Sequence, residues 1–121
     1  MYRIFPERYI LLEGSMLWQD AQDSCLDLGR TLIEPRNQEQ FEIAERFINE
    51  NENVQALWLG SNDALNEGTW LWESDRSLVN LTQFWDTGRP SVNVNRNWLR
   101  LYNGVFRDTY GTYEGHAVCT L

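Results

Sequence analysis

Lysine is absent from the 121-residue sequence, and no long hydrophobic run occurs in it. The ten basic residues are all arginine and face eighteen Asp and Glu residues, which gives a formal net charge of −8 at pH 7. A charge of this sign repels polyanions, so general nucleic-acid binding is excluded. A bilayer span needs about 20 consecutive apolar residues, which excludes a transmembrane helix. Residues 1–15 do not resemble a signal peptide, so we expect a secreted form to have lost its leader.

Cysteine is nearly absent, with Cys25 and Cys119 as the only two. Two cysteines this far apart exclude a CxxC redox motif and a four-cysteine metal site. They leave two alternatives, a disulfide bond formed in an oxidising compartment or two buried free thiols. The triplet Asn80-Leu81-Thr82 is an acceptor sequence for N-glycosylation and gives weak support for secretion.

The length, and the lack of repeats or linkers, indicate a single domain over residues 1–121. Apolar residues at helical spacing predict a helix capped by Ser15 and ending near Leu28, and a second helix after Pro35 with Asn37 as its cap. The second half is rich in strand formers. Strands are predicted over residues 8–12, 57–60, 70–72, 98–102, 105–106 and 116–121. Helices followed by strands indicate an α+β domain whose sheet is mostly antiparallel.

A local excess of arginine lies in the second half. No acidic residue occurs between Asp86 and Asp108, and four arginines fall there: Arg89, Arg96, Arg100 and Arg107. The cluster either occurs by chance on a solvated loop or forms a surface that binds anionic or polar groups. The second alternative is possible because a guanidinium group offers a planar fork of donors. It overlaps residues 73–97, which contain few strand formers. A loop of that length inside a compact domain is usually functional.

Four motifs, in order, resemble those of the C-type lectin-like domain family. They are the Trp, Ala and Cys between Trp18 and Cys25, Trp58-Leu59-Gly60, Gly68-Thr69-Trp70-Leu71-Trp72, and Ala117-Val118-Cys119. Their order and spacing extend the resemblance over essentially the whole chain. The resemblance implies two helices flanking small antiparallel sheets, with a long irregular loop region. It also implies a disulfide bond between Cys25 and Cys119.

The sequence departs from the family at a second disulfide across the long loop. Its two positions fall at Asn97 and Gly111, and neither is cysteine. We therefore expect the loop to be held by packing of large side chains. The candidates are Trp85, Trp98, Phe106 and Tyr110.

The calcium site of the family is also altered. Calcium-dependent members bind sugar through an ion held by a Glu-Pro-Asn or Gln-Pro-Asp triplet, a further Glu and a Trp-Asn-Asp motif. The matching positions are Arg89-Pro90-Ser91, Asn95 and Phe106-Arg107-Asp108. They offer one carboxylate and two guanidinium groups, whereas calcium takes six to eight oxygen ligands and is repelled by fixed positive charge. We expect neither a metal nor another cofactor here.

A guanidinium in the place of the metal would donate hydrogen bonds to hydroxyl, acetamido or acidic oxygens of a sugar. The chain resembles invertebrate members that have a basic residue opening the triplet and are regarded as calcium-independent binders of N-acetylated hexosamines, although Ser91 replaces their Asp. The predicted function is therefore calcium-independent binding of N-acetylated hexosamines or acidic glycans. The expected carbohydrate-binding residues are Arg89, Pro90, Ser91, Asn93, Asn95, Arg107, Asp108 and Tyr110.

Two other interpretations remain open at this point. Arg89 and Arg107 can pair with Asp86 and Asp108, which would stabilise a site that binds no sugar. The domain can also be a protein-recognition module that binds neither sugar nor calcium, since many members of this fold recognise proteins.

An enzyme is not expected. The single histidine, His116, lies beside the terminal strand, and the spacing of Asp63, Glu67 and Asp75 does not distinguish catalysis from a polar loop. The expected partners are glycans or glycoproteins, with no nucleic acid and no membrane. Single sites of modest affinity act through avidity, so we expect a homo- or hetero-dimer or a larger oligomer. The expected location is extracellular, with Asn80 as the glycosylation site.

Overall fold

The computed structural model describes residues 3–4, 9–79, 82–91 and 95–120. It contains two helices, α1 (Trp18–Asp27) and α2 (Gln38–Asn49), and a single 3-10 turn at Thr82–Phe84 in that part of the chain. The strands are β1 (Arg3–Ile4), β2 (Tyr9–Leu11), β3 (Ala56–Asn62), β4 (Leu71–Trp72), β5 (Trp98–Tyr102), β6 (Val105–Thr109) and β7 (His116–Thr120). The α+β fold class expected from the sequence is confirmed.

The strands join into one sheet in the order β1-β2-β7-β3-β5-β6, and β4 pairs with the end of β3. Every neighbouring pair is antiparallel except β3 and β7, which run parallel. This parallel pair links the strands at the two ends of the chain to the β5–β6 hairpin. The small antiparallel sheets expected from the resemblance are therefore continuous with one another.

The second helix begins as predicted. The Asn37 side chain accepts a hydrogen bond from the Gln40 N–H at 2.9 Å, and Gln40 Oε1 accepts one from the Arg36 N–H at 2.8 Å. Two N–H groups at the helix start are thereby satisfied.

The prediction that Ser15 caps the first helix is wrong. Helix α1 begins at Trp18, and its N-cap residue Leu17 makes no side-chain capping bond. Ser15 Oγ instead donates to Glu114 Oε1 at 2.7 Å, which ties the segment before the helix to the loop before β7. The C-terminal end agrees with the sequence, because Gly29 follows the helix with a φ of 73°.

The core lies on both faces of β3. Leu57 and Leu59 belong to a cluster that includes Phe41 of α2 and Phe106 of β6, whereas Trp58 belongs to a cluster on the side of α1. Side chains alternate across a strand, so β3 is fully buried between the two clusters. The Trp-Leu-Gly motif found in the sequence is therefore the centre of the domain.

The Cys25–Cys119 disulfide implied by the resemblance is present and joins α1 to β7. Both cysteines are fully buried, and so is Trp58 beside them. Two indole N–H groups connect this region to the backbone, since Trp18 Nε1 donates to the Leu59 carbonyl at 2.8 Å and Trp58 Nε1 to the Met16 carbonyl at 2.7 Å. A buried indole needs such an acceptor.

The four aromatic residues expected to hold the loop make contacts in or beside it. Phe106 is fully buried, and the Trp85 ring lies 6.0 Å from it. Trp98 stacks on Trp18 at 4.8 Å and covers Gly111, where an added Cβ would lie 2.6 Å from Trp98 Nε1. An indole thus packs at one position of the missing second disulfide. Tyr110 contacts Arg96, which belongs to the long loop, and Tyr113.

Neither α1 nor α2 is long and apolar enough to cross a bilayer, and they are the only α-helices among the described ranges. Asn80, the glycosylation position expected from the sequence, lies outside the described residues.

The disulfide should contribute strongly to stability, because it closes most of the chain into one loop. We expect the double variant C25A/C119A to lose about 3–5 kcal/mol of unfolding free energy, measured by denaturant titration. Reductant should destabilise the wild type by a similar amount and leave the variant unchanged. A variant as stable as the oxidised wild type would contradict this role.

Candidate ligand-binding site

The sequence segments implied by the resemblance meet at Asp108 on β6. Arg89 Nη1 donates to Asp108 Oδ1 at 2.8 Å and to its backbone carbonyl at 2.9 Å. Ser91 donates to Asp108 Oδ2 from its backbone N–H at 2.9 Å and from its hydroxyl at 2.6 Å. The triplet at residues 89–91 and the β6 motif at 106–108 therefore converge at Asp108. Both carboxylate oxygens of Asp108 are engaged within the protein.

This contact is a buried ion pair. The Asp108 side chain is fully buried, and only 15% of the Arg89 side chain is exposed. Burial raises the pKa of Asp108, but the hydrogen bonds from Arg89 and Ser91 outweigh burial and bring its pKa below the ordinary value. Asp108 is therefore ionised at neutral pH, and the arginine neutralises its charge.

The donors that contact Asp108 are a guanidinium, a hydroxyl and a backbone N–H. Asp108 is the only carboxylate among the sequence positions that correspond to calcium ligands, and a guanidinium nitrogen lies 2.8 Å from it. Calcium takes six to eight oxygens, including charged carboxylates. Over the described ranges, no group of three or more His, Cys, Asp or Glu side chains is arranged to hold a metal ion.

Arg107 forms the second ion pair that the sequence left open, but a looser one. Its Nε lies 3.6 Å from Asp86 Oδ2, and about a third of each side chain is exposed (33% and 37%). Exposed pairs of this kind contribute little to stability. Arg107 is therefore available to solvent in a way that Arg89 is not.

The remaining residues expected at the site lie around this centre or outside the described part. Pro90 and Asn95 are exposed, and Tyr110 is half-buried. Asn93 falls in a segment that the structure does not describe. The position of Asn93 in the site therefore stays a prediction.

Two concave surfaces flank the ion pair. The first is a cavity of about 150 Å³, lined by Arg89, Arg96, Arg100, Arg107, Asp108, Thr109, Tyr110 and Tyr113. The second is a more open cleft of about 320 Å³, lined by Gly68, Thr69, Trp70, Leu78, Val79, Trp85, Arg89 and Pro90. Arg89 contributes to both, so the buried ion pair separates a cationic cavity from an aromatic cleft.

Arg96 and Arg100 belong to the arginine cluster of the sequence, but they are not among the residues predicted to bind carbohydrate. The register of the hairpin shows why Arg100 belongs there, since it lies directly opposite Arg107 on β6. The sequence contains a signal for this register. A two-residue turn at Asn103-Gly104, with φ of 54° and 81°, sets this register.

Two of the residues considered for catalysis, Asp63 and Glu67, are neighbours. Asp63 is buried and accepts a hydrogen bond from the Gly68 N–H at 2.9 Å. Desolvation and the nearby Asp63 carboxyl raise the pKa of Glu67. Asp75 instead forms an ion pair with Arg36 at 3.0 Å, which lowers the pKa of Asp75. Burial lowers the pKa of His116, which lies on β7.

Comparison with known proteins identifies the family. The sequence model described as the lectin C-type domain matches residues 14–120. The galactose-specific lectin nattectin of Thalassophryne nattereri is 35% identical over 83 residues, which are 67% of this chain and 50% of that protein. The hepatic lectin of Gallus gallus is 26% identical over 113 residues, 92% of this chain and 53% of that protein. The chain thus spans about half the length of these two relatives.

Solved structures agree on the fold. The C-type lectin CEL-I from Cucumaria echinata superposes with a TM-score of 0.84 at 18% identity, covering 98% of this chain and 93% of that one. A calcium-independent type II antifreeze protein superposes with a TM-score of 0.81 at 15% identity, covering 99% and 90%. At such identities the likeness concerns the fold alone. Together with the family match, it shows that the chain belongs to the C-type lectin domain family and is a non-enzymatic binding domain.

Proposed function

We propose that this domain binds glycans without calcium, on the loop surface around Arg89 and the end of β6. The observation that carries the proposal is the hydrogen-bond set of Asp108, whose two oxygens accept bonds from Arg89 and Ser91. A calcium ion would have to displace these donors and would meet the guanidinium at close range. The arginine therefore takes the structural role of the metal by holding the loop to β6.

The proposed ligands are N-acetylated hexosamines or acidic sugars. An acetamido carbonyl and an acid group are both acceptors, and the partly exposed Arg107 is a donor suited to either. The 320 Å³ cleft adds the half-buried Trp85 ring, which gives apolar surface for an acetamido methyl group or the face of a sugar ring. Asn95 and Tyr110 complete the proposed surface.

In this proposal Arg89 acts mainly by positioning other residues. With 15% of its side chain exposed, it has little surface left for a ligand. Its substitution would release Ser91 and Pro90 as well, because the triplet is anchored through Asp108. A loss of binding in an Arg89 variant would therefore report loop order as much as direct contact.

Recognition of a protein partner is the second candidate. It is favoured by Leu78, which is 61% exposed at the rim of the aromatic cleft. An exposed large apolar side chain beside aromatic rings is typical of a protein interface. The glycan experiment below separates the two candidates.

We further propose that the protein is extracellular and acts as a dimer or larger assembly. The buried disulfide supports an oxidising compartment, and weak single sites gain strength from multivalency. Light scattering of the purified protein should give a mass of at least twice 14.3 kDa. A monomer at working concentration would contradict the proposed assembly.

The ion pair can be tested by neutralising one partner. We expect R89M to lose about 2–4 kcal/mol of unfolding free energy, because an unpaired carboxylate stays buried. The double variant R89M/D108N should recover part of the loss, since it leaves no buried charge. R107M is the matched control and should lose less than about 1 kcal/mol, because its pair with Asp86 is exposed. An R89M variant as stable as R107M would refute the role assigned to Arg89.

The stability that this ion pair contributes should depend on pH. The pKa of Asp108 is lowered on folding, so its ionised form contributes full stability above the ordinary pKa of about 4 and loses that contribution as the pH falls through the lowered value. The difference in unfolding free energy between the wild type and D108N, measured by denaturant titration from pH 7 to pH 2, should therefore become smaller as the pH falls. A difference independent of pH would contradict the assignment.

Calcium independence can be tested with a glycan array run twice, once in calcium and once in excess chelator, on protein with its disulfide formed. Saturable binding of N-acetylated or acidic glycans should be the same in both buffers. Binding lost in chelator would refute calcium independence. No binding in either buffer would favour the protein-recognition candidate.

A further inference from the structure

The cavity beside the ion pair contains an unusual concentration of positive charge. We call this cavity the arginine pocket. It is lined by the Arg89–Asp108 ion pair and by Arg96, Arg100, Arg107, Tyr110 and Tyr113. The chain as a whole has a net charge of −8. The one acidic residue of the lining is Asp108, and both of its oxygens already accept hydrogen bonds. The pocket therefore keeps a net positive charge.

Two of these arginines are placed at a cost to stability. Arg100 and Arg107 are directly opposite each other on the antiparallel strands β5 and β6. Like charges at opposed positions destabilise a sheet. Burial and the charge of Arg107 lower the pKa of Arg100. An anion placed between the two guanidinium groups would convert this repulsion into attraction.

Arg100 also has a donor that the described residues leave unsatisfied. Its Nε is buried, and it has no hydrogen-bond partner among the residues that the structure describes. Its Nη1 makes one long bond of 3.4 Å to the Glu114 carbonyl. A buried guanidinium N–H without an acceptor carries an energetic penalty, which an oxygen of a ligand would remove.

Tyrosine rings hold two of the guanidinium groups in place. The guanidinium carbon of Arg96 lies 4.9 Å from the centre of the Tyr110 ring, and that of Arg100 lies 5.2 Å from Tyr113. The two rings are themselves 5.8 Å apart. Stacking uses the face of a guanidinium group and leaves donors at its edge for a planar or tetrahedral anion.

The size of the cavity limits what enters it. Its volume of about 150 Å³ is below the roughly 300–1,000 Å³ of pockets that enclose a whole small ligand. It equals the liquid volume of about five waters. The pocket therefore suits one substituent of a larger ligand whose remainder lies on the surrounding surface.

We propose that the arginine pocket binds the sulfate or carboxylate group of an acidic glycan. This inference rests on the proposed function and selects acidic sugars among its ligands. Arg96, Arg100 and Arg107 donate charge-assisted hydrogen bonds to the oxyanion, and the rest of the sugar lies against the loop surface beside Arg89.

The test compares matched glycans in chelator at physiological salt, each pair sharing one backbone with and without a sulfate or a sialic acid. The wild type should bind the acidic member about 10- to 100-fold more tightly, which is the range of one charge-assisted hydrogen bond. Higher salt should reduce this preference. R100Q and R96Q should each abolish most of this preference, read as the ratio of the affinities for the acidic and the neutral member.

R46Q is the control, since it removes the same charge from the exposed face of α2, outside the pocket. R46Q should keep the full preference. R96Q is included in case R100Q fails to fold. Arg96 packs on Tyr110 and does not belong to the core, so we expect R96Q to fold. Folding of each variant is checked by its thermal unfolding midpoint.

Each other outcome is decisive. Equal binding of acidic and neutral glycans, or a preference retained in R96Q and R100Q, refutes the arginine pocket but not the proposed function. No binding to any glycan refutes the proposed function and this inference with it. Binding of inorganic sulfate or a poly-glutamate peptide, detected by NMR shifts of the Arg100 side chain, without any preference for acidic glycans would assign the pocket to a free anion or an acidic protein instead.

Discussion

The buried ion pair between Arg89 and Asp108 is the contact on which the loop between β4 and β5 depends. A fully buried carboxylate is tolerated only when it is neutralised and hydrogen-bonded, and here Arg89 and Ser91 meet both conditions. The backbone of the loop is anchored to the same strand, because the Asp86 N–H donates to the Phe106 carbonyl at 3.0 Å. The loop conformation and the ionised state of Asp108 therefore stabilise each other.

A cation supplied by the chain differs physically from a bound ion. An arginine is present in every molecule, whereas the occupancy of a metal site follows the free concentration of the metal. Under the proposed function, the loop would keep its shape in compartments that differ widely in calcium. The cost is chemical, since a guanidinium group only donates hydrogen bonds, whereas a calcium ion can coordinate two sugar hydroxyls at once. An arginine-based site should therefore favour acceptors over neutral hydroxyl pairs.

Most of the fold could be predicted because its signals are local. The Asn37 cap, the Gly29 helix end and the strand at residues 98–102 each depend on a few neighbouring residues, and the structure contains all three. The Ser15 cap was wrong because a distant partner, Glu114, accepts the hydroxyl. The short strand β1 was missed, since two residues give no periodicity.

The site could be predicted only in part, because it depends on contacts between residues that are far apart in the sequence. Sequence motifs placed Arg89 and Asp108 at positions that match the calcium site of the family, but they could not show that Arg89 would be mostly buried and Arg107 partly exposed. The pairing of Arg100 with Arg107 follows from the turn at Asn103-Gly104 once the hairpin is recognised. The stacking of Arg96 on Tyr110 has no local sequence signal, because the two residues approach only in the folded domain.

The position of the disulfide has a mechanical consequence. Tyr9 and Thr120 are paired across β2 and β7, and Cys25 is bonded to Cys119. If tension were applied between Tyr9 and Thr120, the covalent path would run through residues 9–25, across the sulfur–sulfur bond and into residues 119–120. Residues 26–118 would carry no covalent load, and they include the loop, the hairpin and every residue of the arginine pocket. The candidate site would thus be shielded from a pull between these two residues.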